Sequence, residues 1–192
     1  MHMAKKDEIK RKKIIVFSFE GKDNKTETNY FHHFVSSNSN YVLRTLSSGC
    51  TDLKNMIDST KRKRKIFDYN SKEDKTYIFI DEDSNPDKMS YIEERRKNLP
   101  KDITIIVSKP SFEIWFLNHF IRTTKCFNNK TLINELKKYI KDYEKNKDVY
   151  QLIKDKLKIA INNSLEQLNK YNSSYTDVVN LFIQNIIKDK EE

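Results

Sequence analysis

Two carboxylates two residues apart, Asp81 and Asp83, follow the apolar run Thr76-Tyr-Ile-Phe-Ile80, and Glu20 follows a second such run, Lys13-Ile-Ile-Val-Phe-Ser-Phe19. Short runs rich in Val, Ile, Phe and Tyr read as buried strands. Open α/β sheets bind ligands beyond the carboxyl ends of their strands, so all three acids fall where chemistry is usually done. If the chain stays extended past Ile80, Asp81 and Asp83 point to one side and Glu82 to the other. Close carboxylates raise one another's pKa, and a divalent cation removes that penalty. Hard oxygen donors with no His or Cys at hand favour Mg2+, or Mn2+, over Zn2+. Gly21 permits a sharp turn after Glu20. The competing reading of these acids is ordinary: helix caps and solvated loop residues.

A second cluster, Ser108-Lys-Pro-Ser-Phe-Glu-Ile-Trp-Phe-Leu-Asn-His-Phe120, follows another apolar run, Ile103-Thr-Ile-Ile-Val107. It places Glu113 in a first helical turn, where the helix dipole alone would favour a carboxylate. His119 lies six residues on, about 120° round the helix from Glu113 at ~100° per residue, so the two do not form a metal-binding face of the H-E-x-x-H kind. A packed or hydrogen-bonded histidine is the plainer reading of His119. Thr26 and Glu27 open an earlier helix, as N-cap and dipole partner, and Lys22 and Lys25 in the same loop could touch a phosphate.

These residues need a scaffold, and the sequence supplies one. Strands are expected at 13–19, 41–46, 76–80 and 103–107, with helices at 27–35, 51–64 and 86–97 between them. Thr51 or Asp52 would cap the second helix, and Pro86 suits a first turn. Alternation of this kind implies an α/β fold, a mostly parallel four-stranded sheet with helices on both faces. Beyond residue 108 only helical stripes follow, at 110–120, 131–144 and 148–170, with a last helix capped by Thr176. The expected organisation is a basic tail (1–12), an α/β domain (13–120) and a helical extension (121–192) packed on the same domain.

The composition excludes several classes. With 2 Gly and 3 Pro among 192 residues there is no glycine-rich phosphate loop, and a turn-rich β-sandwich is disfavoured. The 11 Phe and 10 Tyr suffice for a core and argue against disorder. No apolar run nears the ~20 residues of a membrane helix. The start, Met-His-Met-Ala-Lys-Lys, has no apolar signal region, and Cys50 and Cys126 have no metal-type spacing, so a cytoplasmic, reducing location without membrane is expected. The net charge of +9 is local: residues 1–13 carry six bases and two acids, and Lys61, Arg62, Lys63, Arg64 and Lys65 supply the rest. Such a patch suits the phosphates of DNA or RNA, or else is a solvated tail and loop.

Taken together, Glu20-Gly21, Lys25-Thr-Glu-Thr-Asn-Tyr-Phe31, Asp81-x-Asp83, Lys109-Pro-Ser-Phe-Glu-Ile-Trp-Phe-Leu-Asn-His-Phe120 and Ser174-Tyr-Thr-Asp-Val-Val179 resemble the RloB family, over about residues 13 to 187. The resemblance implies a Toprim-like fold with a divalent-metal phosphoryl-transfer site, Mg2+ or Mn2+ being held by Asp81 and Asp83. Glu20 would serve in acid/base work or as a further metal ligand, and Glu113 and His119 match further family positions. It also implies bacterial anti-phage defence, abortive infection included, with an AAA-type ATPase encoded nearby as partner. A homo-oligomer is compatible with this picture. The chain departs from the family pattern at Ser18, where a more apolar residue is usual, and by the extra Asp23-Asn24. Two functions are therefore expected of the residues: a metal-dependent nuclease, or a catalytically silent module that binds nucleic acid or the ATPase. An aspartyl-phosphate phosphatase, which also uses D-x-D, is disfavoured because its motif follows the first strand, not the third.

Overall fold

The computed structural model describes residues 11–21, 25–35, 41–83, 85–170, 173–184 and 186–187. Four strand and helix units come first: β1 (Lys13–Phe19), α1 (Lys25–His32), β2 (Tyr41–Ser47), α2 (Leu53–Lys63), β3 (Lys75–Asp81), α3 (Pro86–Arg96), β4 (Ile103–Lys109) and α4 (Glu113–Asn118). They are followed by α5 (Asn129–Leu136), α6 (Tyr150–Ile153), α7 (Leu157–Leu168), β5 (Tyr175–Thr176) and α8 (Val179–Ile183). Asp52 caps α2 by accepting from the Asn55 amide at 2.9 Å, and Asn85 caps α3 ahead of Pro86.

The sheet runs β2-β1-β3-β4-β5, with β1 to β4 parallel and β5 antiparallel to β4. The chain winds outward from β1 to β2, then returns to the other side of β1 to lay down β3 and β4. The order therefore reverses between β1 and β3, and a crevice opens at their carboxyl ends.

Strand periodicity sorts the core into two layers. Phe17, Phe19, Tyr77, Phe79 and Ile106 face one side, against Tyr30 and Phe31 of α1, Phe34 in the turn after it, α4 and the carboxyl-terminal helices. Ile78, Ile80, Ile105 and Val107 face the other, against α2 and α3. Ring centroids lie 4.9 Å apart for Phe17 and Phe31 and 5.0 Å for Phe19 and Phe79. Such pairs add ~1 kcal/mol each to the area they bury. Ser18, the polar exception in β1, meets the Thr60 hydroxyl of α2 at 2.7 Å, so its departure from an apolar residue is satisfied locally.

Several expectations change. The sheet has five strands, not four, because the carboxyl-terminal region is not all helix. Thr176, expected to cap the last helix, lies in β5, with its hydroxyl 2.8 Å from that of Ser108 on β4. Two residues are too short a run to register as strand periodicity. The stripe at 131–144 is helical only to Leu136, and Asp142 and Asn146 then take left-handed backbone (φ 56° and 74°). The stripe at 148–170 is broken by a 3-10 turn at Lys154–Lys156. The apolar residues still reach the core: Ile140 and Tyr143 are buried in the layer that α1 and α4 share. A polar clasp adds to this, with Asn118 of α4 donating to Ser164 and Gln167 of α7 at 2.7 and 2.8 Å. Among the described residues no helix is long and apolar enough to cross a membrane.

At the amino end of the sheet Asp74 joins β1 to β3. Its fully covered carboxylate accepts from Arg11 at 2.9 and 2.6 Å, from the Ile14 amide at 2.7 Å and from the Asn70 amide at 2.7 Å. Burial pushes this carboxyl up, but the donors outweigh it and hold it below the usual range. Asp74→Ala strands two backbone amides and is expected to cost roughly 2 kcal/mol in urea unfolding at pH 7. A depressed carboxyl stabilises above its unfolded pKa, so the gap to wild type should narrow as pH falls below ~4.

Candidate functional site

Each acid reaches the crevice by its own route. Glu20 follows β1, and the chain turns at Gly21 (φ 76°), whose amide donates to the Cys50 carbonyl at 2.8 Å. Nothing lies within 4 Å of where a Cβ would sit at Gly21, so it is the left-handed backbone, not space, that calls for glycine. Asp81 ends β3 on the same face as Tyr77 and Phe79. The extended conformation does not continue: Asp83 adopts φ 55°, with its amide bound to the Pro110 carbonyl at 2.9 Å. It is this turn, not strand alternation, that brings Asp83 to the cleft, while the buried Glu82 sits 3.9 Å from the Lys109 ammonium. Glu27 enters from the first turn of α1 and Glu113 from the first turn of α4.

The five acids line one cleft of about 350 Å³ and make up half of its ten lining residues. Its far wall is the segment after α5. The Tyr143 hydroxyl donates to Glu113 Oε1 at 3.3 Å, and Lys145 Nζ lies 4.0 Å from the same oxygen. The Asn146 amide donates to the Thr26 hydroxyl at 3.0 Å, and Asn29 donates to the Asn146 carbonyl at 2.8 Å. Thr26 therefore lies inside α1 and ties it to this wall, instead of capping the helix as expected. The Ser111 hydroxyl holds the other Glu113 oxygen at 2.7 Å.

Crowding sets the electrostatics. Asp81 is surrounded by protein yet keeps some surface open to the cleft. Its carboxyl is pushed well above the usual range, first by burial and then by Glu27, Glu113, Asp83 and Glu20. Glu20 is also raised, chiefly by burial, against the pull of Lys88. The Lys88 ammonium stands between two of the acids, 3.4 Å from Glu20 Oε1 and 3.1 Å from Asp83 Oδ2. Among the described residues no three His, Cys, Asp or Glu side chains are gathered as a finished metal centre. The donor set nevertheless fits a hard divalent ion. It is all carboxylate, and Mg2+ keeps most of its water and commonly takes only one or two protein carboxylates. Such an ion would relieve the repulsion that adds to burial in raising Asp81.

Other expected site residues lie elsewhere. His119 does not line the cleft: it is buried on α4's far end, with Nδ1 2.9 Å from the Trp115 carbonyl and its ring edge-on to Trp115. Arg64, expected to face phosphates, is turned inward: it pairs with Asp102 and Thr76 at 2.8 Å each and lies over the Tyr69 ring, at the amino end of β3 and β4. Lys63 is spent on the carbonyls of Ser47 and Ser48. Lys61 is half-buried, and Arg62 and Lys65 are exposed. Lys22 and the side chain of Lys25 lie outside the described residues. Residue type and spacing do not single out Lys88, Tyr143, Lys145 or Asn146. Lys88 does leave a signal, a cation in the first turn of a capped helix, where the dipole disfavours it.

An open, mostly parallel sheet with a carboxylate-rich cleft at its switch point defines an α/β protein with a candidate ligand site at the carboxyl ends of its strands. The family profile described as RloB-like protein matches residues 15–186, and the chain belongs to the RloB-like family. Comparisons with curated proteins and with solved structures find no match.

The buried His119 carries its own signature. Burial holds its imidazole down to about 4, from an ordinary value of 6.5. The neutral form is favoured in the fold, so stability falls as pH drops below ~6.5 and this loss levels off near the folded value. At pH 5 the loss relative to pH 7.5 should be about 2 kcal/mol from this residue. Urea unfolding at both pH values should show that increment in wild type and not in His119→Gln.

Proposed function

We propose that the chain is a Mg2+- or Mn2+-dependent nuclease, a phosphodiester hydrolase with a Toprim-like α/β domain, acting on DNA or RNA in bacterial anti-phage defence beside an AAA-type ATPase. The observation that carries this reading is the gathering of five carboxylates from four separate stretches of chain in one cleft at the β1/β3 switch point, with Asp81 raised first by burial and then by its neighbours. The defence setting and the ATPase rest on the family resemblance alone.

Asp81 and Asp83, with Glu20 beside them, would hold the ion, which when bound supplies Lewis-acid stabilisation of charge building on a phosphate. Glu20, raised by burial, is a candidate acid/base group beside that pair; its Oε2 accepts from the Asp81 amide at 3.3 Å. Glu113 is fixed by Ser111 and Tyr143, so its carboxylate is presented in one orientation. Lys145 and Asn146 give the opposite wall a cation and an amide that suit a phosphate or sugar edge. Of the basic run, the exposed Arg62 and Lys65 would reach flanking phosphates.

One observation favours the second reading, a catalytically silent module binding nucleic acid or the ATPase: Lys88 already partly neutralises Glu20 and Asp83. The two readings separate in one assay. With Mg2+ or Mn2+ the purified chain is expected to cut DNA or RNA, EDTA to stop it, and Asp81→Asn to cut at least about 100-fold more slowly. Asp81→Asn should also melt higher, since a carboxyl that is buried and crowded by other acids is replaced by a neutral amide. Cleavage by the variant at the wild-type rate would sink the nuclease, and binding with no product from either protein would favour the silent module.

A further inference from the structure

We infer that Lys88 is an internal stand-in for the divalent cation: its ammonium fills the space between Glu20 and Asp83 when no metal is bound and must move out when one is. The inference rests on the metal reading of the cleft and adds to it a residue and a competition.

Three independent features support it. The first is position. Lys88 is the third residue of α3, where its own amide is 3.3 Å from the capping Asn85 side chain. A cation at a helix amino terminus is unfavourable, so local preference does not explain it. The second is geometry. One ammonium touches two carboxylates that arrive from different strands, at 3.4 and 3.1 Å, with only 18% of the lysine side chain exposed. This is the bridging role a metal ion would have between the same two groups. The third is charge. Among the described residues the cleft lining sets five acids against one cation, Lys145, whose ammonium lies 4.0 Å from Glu113 on the opposite wall. Lys88 is the cation that stands directly between Glu20 and Asp83, which would otherwise face each other and Asp81 across the cleft.

The consequences differ from those of a structural ion pair. An ordinary salt bridge, once cut, weakens whatever depends on its carboxylates being in place. A stand-in, once cut, frees those carboxylates for the competitor. A lysine side chain is long enough to leave by rotation about its own bonds while α3 stays put, and Asp83 is itself half exposed on the route outward. Once displaced, the ammonium sits at the cleft rim, where a phosphate would arrive.

The test measures free Mn2+ by electron paramagnetic resonance during titration of the full chain, with no substrate present. Lys88→Met and the milder Lys88→Gln are each expected to bind Mn2+ about ten-fold tighter than wild type. Both should melt lower than wild type without metal and regain that loss when saturated with Mn2+. In wild type itself, acetylation of Lys88 followed by mass spectrometry should speed up several-fold on adding Mn2+, a readout that needs no variant to fold. Equal or weaker Mn2+ binding by both variants, or a Lys88 labelling rate that Mn2+ does not change, overturns the stand-in while wild-type binding leaves the metal site standing. No Mn2+ bound by wild type or by either variant overturns both. Binding by the variants but not by wild type supports the stand-in in its strongest form.

Discussion

The constraint on which the molecule turns is repulsion among carboxylates held at the carboxyl end of a buried parallel sheet. Asp81 ends β3 on the face that Tyr77 and Phe79 give to the core, so the strand that makes the core also fixes the acid. It cannot swing away without breaking the alternation of β3, and its carboxyl is raised by burial and by four other acids. A fold selected only for stability would not collect them there. Part of that cost is offset by the Lys88 ammonium, which stands between Glu20 and Asp83.

The carboxyl-terminal region makes sense in the same terms. It is bound to the sheet by β5, by the Asn118 clasp to α7, and by Asp177, which pairs with Arg96 and accepts from the Val107 amide. Its yield at the site is a short wall: Tyr143 holding Glu113, and Asn146 tying itself to Thr26 and Asn29. The helical bulk thus converts an open sheet edge into a cleft. Left-handed backbone at Asn146 is the local device that turns the wall inward.

Much of this was legible beforehand, and what was not has physical reasons. β1, β3 and β4 announced themselves because buried parallel strands are continuous apolar runs, and the acids at their ends could be read straight off. Asp81 and Asp83 both line the cleft, but a turn at Asp83 brings them there and not the strand alternation that the spacing suggests. β5 is not legible in the sequence because two residues carry no period. Arg64 looked like a phosphate ligand within a run of five bases, but charge in a sequence says nothing of which side chain a fold turns inward towards Asp102. Lys145 and Asn146 became site residues only through tertiary contact with α1 and Glu113, and no spacing rule reaches across such separations in the chain.

The two ends of the sheet differ in how their charges are matched. At the amino end each buried acid has its own cation: Asp74 has Arg11, and Asp102 has Arg64, which also stacks on Tyr69. At the carboxyl end, among the described residues, five acids share the two nearby lysines, 88 and 145. Both ends belong to the same four parallel strands, so the difference is not one of fold but of what is left unmatched. Paired charges tie β1 to β3 and β4 at the amino end, while Glu20 and Asp81 stand at the other end of the same strands. A sheet that is tightly matched at one edge and crowded with acids at the other is asymmetric along its strands, and among the described residues it is the crowded edge that leaves negative charge unmatched.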